Sequence, residues 1–107
     1  MSQKINIELR VTTSGAVLSW EIYLENTNSS SRVDNWIYDT NSKYFKRTLN
    51  DYLIEDSDLD VYVGCEGKIG GFTICVVLIN DKLQDKKVVC NNTDKDYAHQ
   101  KYLLTKL

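Results

Sequence analysis

The sequence predicts an all-β domain, one two-sheet sandwich of about seven to eight antiparallel strands spanning residues 1–107. Three observations support this. Apolar residues recur at every second position in several stretches, as in strands that bury one face. Glycine, asparagine and aspartate punctuate the chain at intervals of roughly 8 to 12 residues, where strands would reverse. Helical spacing is found only near the C-terminus, so no layer of helices is available to cover a sheet.

The first strand is read from Ile5, Ile7, Leu9 and Val11, which alternate with Asn6, Glu8, Arg10 and Thr12. Thr13-Ser14-Gly15 turns the chain. Leu18, Trp20, Ile22 and Leu24 then form a second apolar row, with Ser19, Glu21, Tyr23 and Glu25 opposite, so residues 1–25 predict a hairpin. Residues 26–31 (NTNSSS) have nothing to bury and predict a mobile loop. Val33, Trp36 and Tyr38 suggest a strand, residues 39–43 a turn, residues 44–49 another strand, and residues 50–58 a connection pinned by Leu53 or Ile54.

Residues 59–79 are the stretch on which the rest should pack. Leu59, Val61, Val63 and Cys65 alternate with Asp60, Tyr62 and Gly64, whereas residues 72–79 are almost continuously apolar, the mark of a central strand covered on both faces. Gly67, Gly70 and Gly71 between them predict a hairpin turn with residues at positive φ. Asn80-Asp81 is a turn dipeptide, and residues 83–90 return as an edge strand protected by Lys82, Lys86 and Lys87. At the C-terminus, Thr93 and Asp96 resemble a capping box, with Tyr97, Lys101 and Leu104 on one helical face. Ala98, Gln100, Tyr102 and Leu104 equally define one side of a strand, and the lack of helical spacing elsewhere favours the strand. Trp20 and Trp36 are the expected core anchors, since no other side chain buries as much area.

Composition narrows the function. A chain of 107 residues makes one domain large enough to fold without staples. Thirteen basic against 15 acidic residues, well mixed, give no reason to expect nucleic acid as a partner, and no apolar run reaches the length of a membrane span. The start at Met1-Ser2 leads straight into a strand pattern, which predicts a cytosolic protein or one separated from its targeting segment.

Cys65, Cys75 and Cys90 contain no Cys-x-x-Cys spacing for zinc or redox chemistry. They read either as three buried small hydrophobes or as one disulfide, Cys75 to Cys90, on adjacent strands, with one thiol left over. The single histidine, His99, has no nucleophile assigned to it, and thiols in buried apolar strands are poor nucleophiles, so no catalytic residues are expected. Asp56, Asp58 and Asp60 lack the glycine and glutamate of a calcium loop, because Val61 and Gly67 stand in those places, and read as a solvated acidic turn. No cofactor or metal site is therefore predicted. Tyr23 and Tyr62 fall on wet strand faces, where such rings either shield a sheet or stack a sugar or a protein contact. With them, Asn26, Asn28 and Ser30 in the first polar loop and Asn92 and Asp94 in the segment 91–96 are the candidate partner-binding residues.

The layout from Leu59 through Gly70-Gly71-Phe72-Thr73-Ile74 to Ile79-Asn80-Asp81-Lys82 is similar to that of small immunoglobulin-like β-sandwiches of the bacterial envelope, including the extracytoplasmic domain of the MmpS-like transport accessory proteins. In that family a Trp-bearing strand follows an early hairpin, and an Asp-Gly-Lys-like turn precedes the last strand. Trp36 and Asn80-Asp81-Lys82 stand in the comparable places. The pattern contains no catalytic or binding motif, no membrane-anchor pattern precedes Ile5, and the turn lacks its glycine. The resemblance implies an immunoglobulin-like, non-catalytic accessory or interaction domain outside the cytoplasm. Beside that expectation stand two others: a small cytosolic inhibitor or immunity-type protein that blocks a partner enzyme, and a glycan-binding module using Tyr23 and Tyr62.

Overall fold

The computed structural model describes residues 3–54, 58–84, 88–91 and 97–104. They form nine strands and one short 3₁₀ turn, Ser29–Ser31. The strands are β1 (Gln3–Thr13), β2 (Val17–Leu24), β3 (Ile37–Asp39), β4 (Tyr44–Ile54), β5 (Leu59–Gly67), β6 (Phe72–Ile79), β7 (Lys82–Leu83), β8 (Val88–Asn91) and β9 (Tyr97–Leu104). A six-stranded sheet runs β3-β4-β1-β6-β7, with β8 also on β6, and a three-stranded sheet runs β2-β5-β9. All pairings are antiparallel. The all-β sandwich is therefore as expected, with one or two more strands than the spacing suggested.

The two hairpins expected at residues 1–25 and 59–79 do not form. β1 makes its ladders with β4 and β6, while β2 pairs with β5; likewise β5 pairs with β2 and β9, while β6 pairs with β1, β7 and β8. Both glycine-containing breaks are corners at which the chain passes from one sheet to the other. A period-2 pattern states which face of a strand is buried, not what covers it. In a hairpin two apolar rows lie side by side and need a third element above them; in an arch they face each other across the interior. Here Ile5, Ile7, Leu9 and Val11 of one sheet and Ile22, Leu24, Leu59, Val61 and Val63 of the other all lie in one buried core, each at most 3 % exposed.

The two corners are tied together. The Ser14 amide donates to the Phe72 carbonyl (2.9 Å), the Phe72 amide to Ser14 Oγ (3.0 Å), and the Lys68 amide to the Ala16 carbonyl (3.0 Å). Of the three glycines expected at positive φ, only Gly70 has it, at 94°. Gly67 is needed for another reason: a β-carbon there would come within 2.3 Å of the Ala16 carbonyl oxygen, so only glycine lets the start of β2 cross so closely.

Genuine hairpins form at the two turns where the side-chain chemistry is local. Asp39 Oδ1 accepts from the amides of Asn41 (2.9 Å) and Ser42 (3.0 Å), turning β3 into β4. Asn80 and Asp81, at φ 50° and 67°, carry the left-handed pair that a tight turn between β6 and β7 requires. β4 continues to Ile54, beyond its expected end, because a bulge absorbs one residue. The register shifts between Ile5 and Ile7, Asp51 takes φ 53°, and its amide donates to Asn6 Oδ1 (3.0 Å), which returns Ile54 to the core.

Three further expectations are corrected. β6 is not covered on both faces: Thr73, Cys75, Val77 and Ile79 point inward, but Ile74, Val76 and Leu78 are only partly buried, lying beside Thr12, Arg10 and Glu8 on the outer face. The expected edge strand at 83–90 is split into β7 and β8, both on the outer edge of β6; Lys86 and Lys87 lie outside the described residues. The expected strand at 33–38 is broken at Asn35, which has φ 63°. Arg32 and Val33 attach to β2, through the Tyr23–Arg32 bridge and the Val33 amide bonded to the Ile22 carbonyl (2.9 Å), whereas β3 attaches to β4 in the other sheet. Residues 32–39 thus close one side of the sandwich. At the C-terminus β9 is a strand along β5, not a helix.

Candidate functional site

Trp20 and Trp36 meet where that closing segment passes from one sheet to the other. Their rings are edge to face with centroids 5.0 Å apart, Phe45 of β4 lies 5.3 Å from Trp20, and the Trp36 indole N–H donates to the Val33 carbonyl (2.8 Å). Both tryptophans are only partly buried, packed against the core without being enclosed in it. They were expected to be enclosed; instead each presents one side to a cleft of about 400 Å³.

The cleft draws on three segments. β2 contributes Ser19, Trp20 and Glu21, the closing segment Arg32, Val33, Asp34 and Trp36, and β5 Gly64, Cys65 and Glu66. Register places the two glutamates. Glu21 stands opposite Gly64 and Ser19 opposite Glu66 on the outer face of the three-stranded sheet, so the two carboxylates flank a position that carries no side chain. Arg32 Nε is 3.1 Å from Asp34 Oδ1. Three carboxylates against one guanidinium give the cleft a negative balance.

Tyr23 and Tyr62 adjoin this cleft as a directly opposed cross-strand pair on the same outer face. The Tyr23 hydroxyl donates to Glu21 Oε2 (3.0 Å), and that bond, more than burial, raises its pKa. Lys101 Nζ sits 5.5 Å from the centre of the Tyr62 ring. Of the other candidate residues, Asn26, Asn28 and Ser30 are exposed, as expected, but their loop is internally bonded. Asn26 Oδ1 accepts from the Asn28 amide (2.9 Å) and from Ser31 Oγ (2.8 Å), and the loop leads directly into Arg32. Asn92 and Asp94 lie outside the described residues.

The cysteines are all buried. Cys75 of β6 stands opposite Val88 and Cys90 of β8 opposite Thr73, so the expected Cys75–Cys90 pair is only diagonal. It is Cys65 of the other sheet whose sulfur approaches Cys90, at 3.0 Å. Burial pushes the thiols of Cys75 and Cys90 up to about 12, so neither is a nucleophile at neutral pH. Asp56 lies outside the described residues, and Asp60 has Lys101 Nζ at 3.8 Å; among the described residues no three metal-ligating groups gather. No described helix is long and apolar enough to cross a membrane.

A second groove of about 560 Å³ runs along β3 and β4 past the exposed Ile37 and Tyr38, lined by both Asp39 and the cations Lys46 and Arg47. Sequence reasoning named Tyr23 and Tyr62 as candidate binding residues and Trp20 and Trp36 only as core anchors, and it missed Glu21, Arg32, Asp34, Gly64 and Glu66. The latter are distant in sequence and converge only through the sheet change. Comparison with protein-family models, with curated proteins and with solved structures finds no match.

Proposed function

We propose that this chain is a non-catalytic binding module that captures a protein partner by a basic side chain seated in the cleft beside Trp20 and Trp36. The observation that carries the reading is the convergence of Glu21, Asp34 and Glu66 with two tryptophan rings around one opening. Carboxylates attract an arginine or lysine head group, and indole rings hold its apolar stem or its charge. High thiol pKa values at Cys75 and Cys90 support binding over nucleophilic catalysis. An extracytoplasmic accessory domain and an inhibitor covering a partner's basic surface are both roles that such a cleft would serve.

The test is peptide display against the immobilised full chain. Selected peptides should be rich in arginine or lysine, and their binding should fall at least about tenfold on Glu66→Lys or Glu21→Lys, while Lys82→Glu on β7 leaves it unchanged. Selection without basic enrichment, or binding indifferent to Glu66→Lys, would sink the proposal. The Tyr23–Tyr62 pair supports a second reading, a sugar ring laid across it with Glu21 as acceptor. That reading requires a glycan-array signal abolished by Tyr23→Ala with Tyr62→Ala.

A further inference from the structure

We infer that Cys65 and Cys90 are a built cross-link site, forming a disulfide that joins the two sheets when the chain folds in the presence of a low-molecular-weight disulfide. Cys65 lies on β5 of the three-stranded sheet and Cys90 on β8 of the six-stranded one, 25 residues apart in sequence. Both side chains point into the core, 1 % and 2 % exposed, with sulfurs 3.0 Å apart. A bonded pair needs about 2.05 Å, so roughly 1 Å of closure, within reach of side-chain adjustment, separates the two states.

Cys75 is not an alternative partner for Cys90. Diagonal neighbours on paired strands stand roughly 7 to 8 Å apart, whereas a disulfide usually needs α-carbons within about 6.8 Å. The register therefore assigns one pair and one spectator among three buried thiols.

The chemistry is thiol–disulfide exchange. One cysteine, as its thiolate, attacks a sulfur of the oxidant, forms a mixed disulfide and expels one small thiolate. The second cysteine then attacks its partner's sulfur and expels the other. Two electrons pass from the chain sulfurs to the oxidant, and the two protons lost by the chain are taken up by the two small thiolates released. In the folded chain both sulfurs are shielded from solvent, and burial opposes ionisation of Cys90. The link consequently forms while β8 docks and resists reduction once it has. Cys65 also lines the cleft and stands opposite Trp20, so the link fixes the wall on which that ring rests.

The test uses the whole chain, reduced and unfolded, then refolded with oxidised and reduced glutathione. Alkylation in denaturant followed by intact-mass and peptide mapping should show a loss of about 2 Da, alkylation at Cys75 alone, and a Cys65–Cys90 linked peptide. Cys75→Ser, checked for folding by circular dichroism, should keep the link. Linked protein should melt roughly 10 to 20 °C above the reduced form. Three alkylated cysteines after oxidative refolding, a link through Cys75, or a linked protein melting no higher than the reduced one would overturn the assignment.

Discussion

Trp36→Ala tests whether the closing segment holds the two sheets together. The indole sits where the chain leaves β2 for β4, edge to face with the Trp20 ring at 5.0 Å between centroids, with its N–H on the Val33 carbonyl at 2.8 Å. Removing a fully enclosed tryptophan costs about 3 to 5 kcal/mol. Trp36 is open to the cleft on one side, so water can enter part of the vacated space and rehydrate the Val33 carbonyl, which places the loss near about 3 kcal/mol. For a chain of this size that corresponds to a melting point lower by roughly 10 to 20 °C. Urea unfolding followed by far-ultraviolet circular dichroism would measure it, with the slope unchanged if the native state stays compact. Trp36→Phe, keeping an aromatic edge contact but losing the N–H, should cost about 1 kcal/mol. A loss below about 1 kcal/mol for the alanine variant would refute the reasoning, because the ring would then be a surface feature and not a clasp.

Thr73 is fully buried on β6 and its hydroxyl has no partner among the described residues, so Thr73→Val should stabilise by about 1 kcal/mol; a lower urea midpoint would show that the hydroxyl is satisfied. Asn6→Ala removes the acceptor for the Asp51 amide at the β4 bulge and should cost about 1 kcal/mol in the same assay, with no change refuting the side chain's role there. Burial first, and the Asp60 charge second, raise the pKa of the Glu25 carboxyl. The folded state then holds that proton more tightly than the unfolded chain, so the contribution is intact below the unfolded pKa and lost as pH rises through the folded one. Wild type should therefore lose stability relative to Glu25→Gln as pH rises from the ordinary carboxylate range, about pH 4, upward, and a pH-independent difference in melting point would exclude this.

The faces of the strands were legible and their neighbours were not. Alternation put Ile5, Ile7, Leu9 and Val11, and again Leu59, Val61, Val63 and Cys65, in the core, and all of them are there. The same alternation suits a hairpin or an arch, and Ser14-Gly15 gives no local signal to separate them. Gly67 did carry such a signal, since its hydrogen faces the Ala16 carbonyl, but a glycine required by a close crossing looks in sequence like a glycine required by a turn. Asn80-Asp81 was read correctly because there the side-chain chemistry itself sets the turn.

The cleft was illegible for a related reason. Tryptophan in an apolar strand pattern predicts enclosure, and for Trp36 the pattern fails at one residue, Asn35, whose positive φ breaks the strand. Before that break the chain is bonded to β2; after it, to β4. Trp36 is left at the crossing, with core on one side and water on the other, its ring edge to face with that of Trp20. The sheet change also brings Arg32 and Asp34 beside Glu21 and Glu66 of the outer face, residues that no sequence spacing relates. One left-handed residue therefore does two things at once: it closes the sandwich, and it leaves an aromatic, negatively charged opening at the seam.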